Sequence, residues 1–170
     1  MDYINTTIDT VGYSGPVLLL LSSIYLLSEK TTYLPIYLVG FVFNIILNCF
    51  LKGLIQQPRP AEDKRLFNLE VIHGERISYD RYGMPSSHTQ LVFYSTAFIH
   101  FVLRDNKTTA VYLLVSLITA YQRIKNKNHT FFQVLVGSIT GLFMGYSLYY
   151  YGKSLLKGIL RLKPDDNAPL

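Results

Sequence analysis

The sequence predicts an all-α protein in a membrane, a helical bundle of about five transmembrane helices. Of the 170 residues, 49% are hydrophobic and only 16% are charged, whereas soluble domains average about 25% charged residues. The apolar residues also come in long blocks. These observations argue against a soluble domain, a disordered chain and a coiled coil. The length fits a single membrane-embedded domain over residues 1–170.

Five segments approach the roughly 20 apolar residues that a membrane-spanning helix needs. They are residues 10–28, 33–55, 87–103, 109–121 and 129–151. The third and fourth segments are at or below the short end of the spanning range. Both are still predicted to span the membrane, because helices packed against others are less uniformly apolar. The first is not read as a cleavable signal peptide, because Asp2 and Asp9 stand where a basic region is expected.

Five spans place the connections alternately on two sides of the membrane. The first side holds residues 1–9, 56–86 and 122–128, and the second holds residues 29–32, 104–108 and 153–170. Lysine and arginine counts alone leave the orientation undecided, but the basic tail favours a cytoplasmic second side. In that tail, cations recur every four residues beside Leu and Ile, which fits either an amphipathic extension on an anionic leaflet or a helix end.

The net charge of +5 indicates an anionic lipid surface or an anionic substrate rather than nucleic acid. The single cysteine, Cys49, lies within an apolar run. The sequence therefore predicts no disulfide framework and no cysteine-based metal site. In the fifth segment, Gly137, Gly141 and Gly145 line one helix face and predict close packing on another helix, more within the monomer than across a dimer.

Lys52 and Arg59, in the stretch KGLIQQPRP, form the first of three polar clusters on the first side. Seven residues are nearly two helical turns, so both cations point toward the same end. Pro58 and Pro60 stiffen the exit from the helix. Two fixed cations suit a phosphate or pyrophosphate, which arginine holds through a planar fork. The alternative is a pair of cations snorkelling at the membrane edge.

The second cluster is the stretch YGMPSSH, residues 82–88. Proline followed by two serines predicts a helix start capped by Ser86 or Ser87. Backbone N–H groups at such a start bind anions, and His88 in the first turn would face one. An ordinary capped helix with an interfacial histidine is the alternative.

The third cluster runs from Arg123 to His129 and Gln133. His129 and Gln133 are four residues apart at the start of the fifth helix, so we expect them on one face. Gln133 would accept the Nδ1 proton of His129 and leave Nε2 to attack as a nucleophile. No carboxylate cluster with metal spacing accompanies the three clusters, so we predict a site without metal or cofactor, in which cations neutralise a transferring phosphoryl group.

In order, these motifs resemble the type 2 phosphatidic acid phosphatase superfamily, whose signatures are K-x6-RP, PSGH and SR-x5-H-x3-D. Within it the chain is most similar to dolichyl diphosphatases, through QPRP, YGMPSSH and the stretch HTFFQV. The resemblance covers residues 52–133. The chain departs from the general pattern at Ser87, Gln122 and Gln133; the first and third are typical of the dolichyl branch, and Gln122 is not.

The resemblance implies a role for each matching residue. His129 would attack phosphorus and form a phosphohistidine, Gln133 would orient it, and His88 would protonate the leaving oxygen. The phosphate oxygens would be bound by Lys52, Arg59, Ser87 and Arg123, with Ser86 shaping the turn. His73 and His100 match no motif, and we expect interfacial or core roles for them. Apolar residues within the connection 61–81 are expected to guide a lipid tail, or to form a plain loop.

The expected function is hydrolysis of a polyprenyl (dolichyl) diphosphate to the monophosphate and inorganic phosphate, at the lumenal face of the endoplasmic reticulum, for recycling of the glycosylation carrier. The expected partners are this lipid and the membrane, without nucleic acid. Two alternatives remain: a broader lipid phosphatase acting on phosphatidate or phosphatidylglycerophosphate, and a non-catalytic binder of lipid phosphates, which Gln122 and Gln133 motivate.

Overall fold

The chain folds into a helical bundle in a computed structural model that describes residues 2–60, 71–72, 75–76 and 78–159. Five helices make up this part: α1 (Asp2–Leu26), α2 (Tyr33–Ile55), α3 (Ser87–Leu103), α4 (Asn106–Lys125) and α5 (Phe131–Ile159). The predicted all-α membrane bundle is confirmed, and α2 and α3 have the predicted bounds. Helix α1 begins before the predicted residue 10 and ends two residues before the predicted residue 28. Helix α4 extends beyond both ends of the predicted segment 109–121, because polar residues at its ends remain helical.

Helix α3 lies at the centre of the bundle and packs against each of the other four helices. Its buried aromatic side chains meet α2, where the rings of Tyr37 and Tyr94 stack at 5.4 Å and Tyr37 lies equally close to Phe98. The Tyr94 hydroxyl donates a hydrogen bond to the Tyr37 carbonyl at 2.8 Å. The Tyr94 hydroxyl is therefore hydrogen-bonded although its ring is buried in the core.

Within the described part of the chain, three helices contain segments long and apolar enough to cross a membrane: Asn5–Leu26 in α1, Tyr33–Ile55 in α2 and Phe131–Leu156 in α5. Helix α3 is shorter, with 17 residues, and most of its side chains are buried against other helices. Helix α4 is two-faced, with Ser116 and Thr119 buried and Val111, Leu114 and Leu117 exposed. Its outward face is apolar, which fits contact with lipid.

The glycines of α5 let it approach α3 closely. A side chain at Gly141 would collide with the backbone of Gln90 and Tyr94, and one at Gly145 would meet Ala97. The predicted packing within the monomer is therefore found. The fifth helix begins at Phe131 rather than at the predicted residue 129, which places His129 in the connection before it.

The described part of the connection between α2 and α3 contains two short strands, β1 (Val71–Ile72) and β2 (Glu75–Arg76), and a 3₁₀ turn (Ser78–Arg81). The strands pair antiparallel, with Val71 opposite Arg76. No pattern in the sequence predicts these strands. The connection 61–81 was expected to guide a lipid tail, and its residues 61–70 lie outside the described residues. His73 and the tail beyond Ile159 lie outside them as well.

Candidate active site

The three polar clusters meet at one end of the bundle. Lys52 comes from the last turn of α2, and Gln56 ends that helix in a left-handed conformation, with φ 51°, that turns the chain toward Arg59. His88 lies in the first turn of α3, Arg123 in the last turn of α4, and His129 just before α5. Lys52, Arg123 and His129 are almost fully buried. Residues far apart in the chain thus share one site.

The histidine predicted to be the nucleophile is held between a guanidinium and a backbone carbonyl. Arg59 Nη1 lies 3.1 Å from His129 Nε2, and His129 Nδ1 lies 2.8 Å from the Gly83 carbonyl oxygen. A guanidinium only donates and a carbonyl only accepts. Nε2 is therefore the unprotonated nitrogen, and Nδ1–H donates to Gly83. This is the tautomer that a nucleophile at Nε2 requires.

The predicted partner of Nδ1, Gln133, is not its nearest acceptor. Gln133 Oε1 lies 3.3 Å from Nδ1, which is longer than the contact with Gly83. The expectation of a shared helix face was wrong, because α5 starts after His129. Thr130 and Gln133 form a capping box instead: Thr130 N–H donates to Gln133 Oε1 at 3.1 Å, and Gln133 N–H donates to Thr130 Oγ1 at 3.3 Å.

Gln133 also ties the first motif to the third. Its Nε2 donates to the Pro58 carbonyl at 2.9 Å and to Gln57 Oε1 at 3.1 Å. Gly83 lies directly against its amide, leaving no space for a side chain. Gln133 therefore positions the backbone segments around His129 more than it orients the imidazole alone.

His88 is paired with Arg123. Arg123 Nη2 lies 3.1 Å from His88 Nδ1, so Nδ1 accepts and a proton on the neutral ring resides on Nε2. The ring of Tyr13 in α1 lies 5.7 Å from the His88 ring, and the Arg123 guanidinium lies 5.9 Å from the Tyr13 ring. Helix α1 thus contributes a wall of the site that no motif predicted.

Lys52 and Arg59 share one carboxylate. Asp80 Oδ1, in the 3₁₀ turn, accepts from Lys52 Nζ at 2.8 Å and from Arg59 Nη2 at 2.7 Å. Arg59 Nε also donates to the Asp80 carbonyl at 2.9 Å, and Arg59 Nη1 donates to the Asn128 carbonyl at 2.9 Å. The two cations are therefore held in place rather than snorkelling into solvent.

The serine cap differs from the prediction. Ser86 occupies the position before α3, yet its side chain makes no capping hydrogen bond, and its buried Oγ has no hydrogen-bond partner in the described part of the chain. Its N–H donates to the Gln133 carbonyl at 3.0 Å, which fits shaping of the turn. Ser87 Oγ donates to Asn48 Oδ1 at 2.7 Å, so α2 orients the hydroxyl predicted to bind phosphate.

Burial and positive neighbours keep His129 neutral. Removal from water lowers the pKa of His129 well below 6.5, and the charges of Arg59, Arg123 and Lys52 lower it further. Below its pKa an imidazole is protonated and cannot attack. The lowered pKa therefore preserves the neutral, nucleophilic form into mildly acidic solution.

Gln122, which stands where a serine was expected, faces α1. Its buried side chain lies against Gly12, where any larger residue would collide with it. Its Oε1 is 3.5 Å from Arg123 Nη1, at the limit of a hydrogen bond. The substitution replaces a short hydroxyl with a longer side chain, whose Cβ and Cγ pack against Gly12 of α1 and whose amide oxygen lies beside Arg123.

Three residues have roles in the site that the sequence did not predict. Asn48 and Asp80 act through an amide and a carboxylate and have no diagnostic spacing. Gly83 lies within the recognised stretch YGMPSSH, but it acts through its backbone carbonyl. The capping box Thr130–Gln133 does have a diagnostic spacing and was overlooked. His100 lies in the last turn of α3, with its Nδ1 3.1 Å from Thr109 Oγ1. Within the described ranges, no three His, Cys, Asp or Glu side chains form a group that could hold a metal.

Comparison with known proteins gives one family and several relatives. The chain is 27% identical to human "Dolichyldiphosphatase 1" over 137 residues, covering 71% of this chain and 53% of that protein. It is 29% identical to "Dolichyldiphosphatase" of Saccharomyces cerevisiae over 133 residues, covering 72% and 51% respectively. The chain thus spans little more than half the length of these relatives.

No solved structure gives a significant match to the chain. The PAP2 superfamily model matches residues 33–156, which include α2, α3, α4, most of α5 and all three polar clusters. The match covers well over half of the sequence, and the chain belongs to the PAP2 superfamily.

Proposed function

We propose that the chain is a membrane phosphatase that hydrolyses a polyprenyl diphosphate to the monophosphate and inorganic phosphate through a phosphohistidine at His129. The observation that carries this proposal is the approach of a cation to the nucleophile, with Arg59 Nη1 3.1 Å from His129 Nε2. A phosphoryl group bound by Arg59 lies within reach of Nε2. The nucleophile, His129, and the stabilising cation, Arg59, thereby act on the same phosphoryl group.

The reaction runs in two steps. His129 Nε2 attacks the terminal phosphorus, the N–P bond forms, and the bond to the bridging oxygen breaks, so that the lipid monophosphate leaves with the electron pair. Water then attacks phosphorus, the N–P bond breaks, and orthophosphate is released. Lys52, Arg59 and Arg123 neutralise the charge on the equatorial oxygens in both steps. The Gly83 carbonyl holds the Nδ1 proton and stabilises the positive ring as it forms.

His88 is the general acid in this scheme. Its Nδ1 accepts from Arg123 without substrate, so the ring takes up a second proton only when Arg123 turns toward the phosphate. A lipid monophosphate is a much better leaving group than an alkoxide. The diphosphate reaction therefore depends less on His88 than hydrolysis of a phosphate monoester does.

A groove open to the outside of the bundle supports a lipid substrate. It has a volume of about 340 Å³ and lies between α1 and α2, with α3 as its floor. Apolar side chains of Pro16, Val17, Ile45 and Leu91 line it, and Ser87 and His88 stand at its polar end. A lipid tail in this groove would present its phosphate to the active site from within the bilayer.

The same proposal assigns a location and a role. By the family resemblance, the site faces the lumen of the endoplasmic reticulum and the basic tail faces the cytosol. There the enzyme recycles the lipid carrier of glycosylation. The cations supply the charge neutralisation, and we propose that no metal is required.

The experiment is phosphate release from a panel of lipid mono- and diphosphates in detergent with EDTA, comparing wild type with His129→Ala. The proposal expects turnover of the polyprenyl diphosphate by wild type, resistance to EDTA, and loss of turnover in the variant. Phosphate release that survives His129→Ala excludes the phosphohistidine. Loss with EDTA excludes the metal-free reaction.

A broader lipid phosphatase is the second candidate. The groove has apolar walls and opens to the outside of the bundle, so it would accept apolar tails of different lengths. Faster turnover of phosphatidate than of the polyprenyl diphosphate in the same panel would establish this second candidate. No release from any lipid by wild type would favour a non-catalytic binder of lipid phosphates.

A further inference from the structure

The carboxylate of Asp80 occupies the cation pair that a phosphate would need. One oxygen, Oδ1, lies 2.8 Å from Lys52 Nζ and 2.7 Å from Arg59 Nη2. The side chains of Lys52 and Arg59 are 3% and 7% exposed, whereas that of Asp80 is 37% exposed. The two cations are fixed in the protein interior, and their carboxylate partner reaches them from the solvent-facing rim.

A phosphate oxygen and this carboxylate oxygen compete for the same donors. Each is an anionic acceptor that prefers distances of about 2.7–2.9 Å to ammonium and guanidinium nitrogens. Two like charges within one small site repel each other strongly. A phosphate can therefore bind both Lys52 and Arg59 fully only when Asp80 moves away from them.

The surrounding structure permits that movement. Asp80 lies in a single 3₁₀ turn, Ser78–Arg81, rather than in a packed helix. The Asp80 carbonyl accepts from Arg59 Nε at 2.9 Å and keeps the turn in place, so rotation of the partly exposed Asp80 side chain is enough to withdraw its carboxylate. Lys52, by contrast, belongs to α2, a helix of 23 residues. The carboxylate is the member of the cluster that can leave while the cations remain.

We propose that Asp80 is an internal competitor for the phosphate subsite and selects substrates by charge. A diphosphate carries more negative charge than a monophosphate, and it displaces Asp80 more readily. After cleavage, the returning carboxylate expels orthophosphate and disfavours rebinding of the lipid monophosphate. The inference deepens the proposed function and rests on it for the identity of the substrate.

The test measures orthophosphate affinity in detergent, by isothermal calorimetry, for wild type, Asp80→Asn and Asp80→Ser. Removing the competing charge is expected to lower the dissociation constant by about tenfold or more, because like-charge juxtaposition costs several kcal/mol. Asp9→Asn is the matched control. It removes one carboxylate at the same end of the bundle, where Asp9 pairs with Lys125 rather than with Lys52 or Arg59.

Unchanged or weaker phosphate binding in both folded Asp80 variants would overturn the proposal, since a residue that only orients the cations should weaken binding when removed. An equal gain in Asp9→Asn would also overturn it, by showing a general effect of net charge. Two substitutions of different size are used so that, if one variant fails to fold, the other still gives a measurement.

A second measurement separates this inference from the proposed function. In wild type, kcat/KM should be higher for a lipid diphosphate than for its monophosphate. The ratio of the two values should fall several-fold in Asp80→Asn. Orthophosphate binding needs no turnover, so tighter binding in the variants together with an inactive wild type would refute the phosphatase while keeping Asp80 as competitor. Active wild type with no tightening would refute only the competitor.

Discussion

His129 faces a guanidinium on one side of its ring and a backbone carbonyl on the other, and among the described residues no carboxylate is hydrogen-bonded to Nδ1. A carbonyl holds the Nδ1 proton but stabilises a cationic imidazole less than a charged partner does. The ring is therefore kept neutral and correctly oriented. In the proposed reaction, the cations Lys52, Arg59 and Arg123 stabilise the negative charge on the phosphoryl oxygens. This arrangement suits a substrate whose leaving group is itself a phosphate.

The first prediction concerns the protonation of His129. Since burial and the charges of Arg59, Arg123 and Lys52 lower its pKa, the imidazole should stay neutral as pH falls through 6.5 and become protonated only well below that value. Replacing Arg59 with glutamine removes one positive neighbour and should raise the pKa. Titration of ¹³C-labelled histidine by NMR in detergent, with His129→Asn to assign the signal, measures both values. A wild-type pKa at or above 6.5 would contradict this account.

The second prediction concerns His88 and the leaving group. His88→Ala should lower kcat on phosphatidate by about 10²–10⁴-fold, the range for a lost general acid. The loss on a polyprenyl diphosphate should be several-fold at most, because its leaving group needs little protonation. His129→Ala should abolish turnover of both. Equal losses on the two substrates in His88→Ala would show that His88 does not act as the acid.

Sequence spacing identified the cations and imidazoles because their chemistry is unusual in a membrane chain. It could not identify the role of the Gly83 carbonyl or of Asp80. The Gly83 carbonyl is a group that every residue carries, and Asp80 is one of many charges in its connection. Their importance lies in which atoms the fold brings to Nδ1 of His129 and to Nζ of Lys52, and spacing along the chain does not encode that.

At the scale of helices, apolar blocks predicted all five elements because lipid-facing surfaces require them. The bounds failed where another force fixes the end of a helix. Helix α5 starts at Phe131 because the Thr130–Gln133 capping box pairs the N–H groups of Thr130 and Gln133 and fixes the first turn. Helix α4 continues to Lys125 because Gln122 and Arg123 are buried inside the bundle and are not exposed to lipid.

The third prediction tests the packing of α5 on α3. Gly141→Ala places a methyl group against the Gln90 and Tyr94 backbone, which cannot move without separating the helices. Overpacking of this kind costs about 1–3 kcal/mol, and a thermal shift assay in detergent should show a lower Tm. Ile139→Ala, at an exposed position on the same helix, is the control and should leave the Tm nearly unchanged. A similar Tm for both variants would contradict the packing.

At the scale of the whole molecule, the bundle is polar within one end and apolar outside. Ser116, Thr119 and Gln122 point inward, while Val111, Leu114 and Leu117 of the same helix point outward. Composition predicted a membrane protein, but the groove between α1 and α2 depends on both helices packing on α3 at a distance from each other. That geometry was not readable from the sequence.

The fourth prediction tests this groove. Val17→Trp fills it near His88 and should raise KM for a polyprenyl diphosphate about tenfold or more, while a short water-soluble diphosphate keeps its KM. Leu18→Trp is the matched control, since Leu18 is exposed on the same helix and does not line the groove. Steady-state kinetics with both substrates measures the effect. An equal change for both substrates would place the lipid tail elsewhere.

The most direct test of the phosphohistidine mechanism is transfer of label from substrate to protein. A polyprenyl diphosphate carrying ³²P in its terminal phosphate is mixed with the protein, quenched rapidly in alkaline detergent, and the modified peptide is identified by mass spectrometry. We expect transient label on His129 Nε2, absent in His129→Ala. Turnover without labelled protein, or label on another residue, would contradict the account.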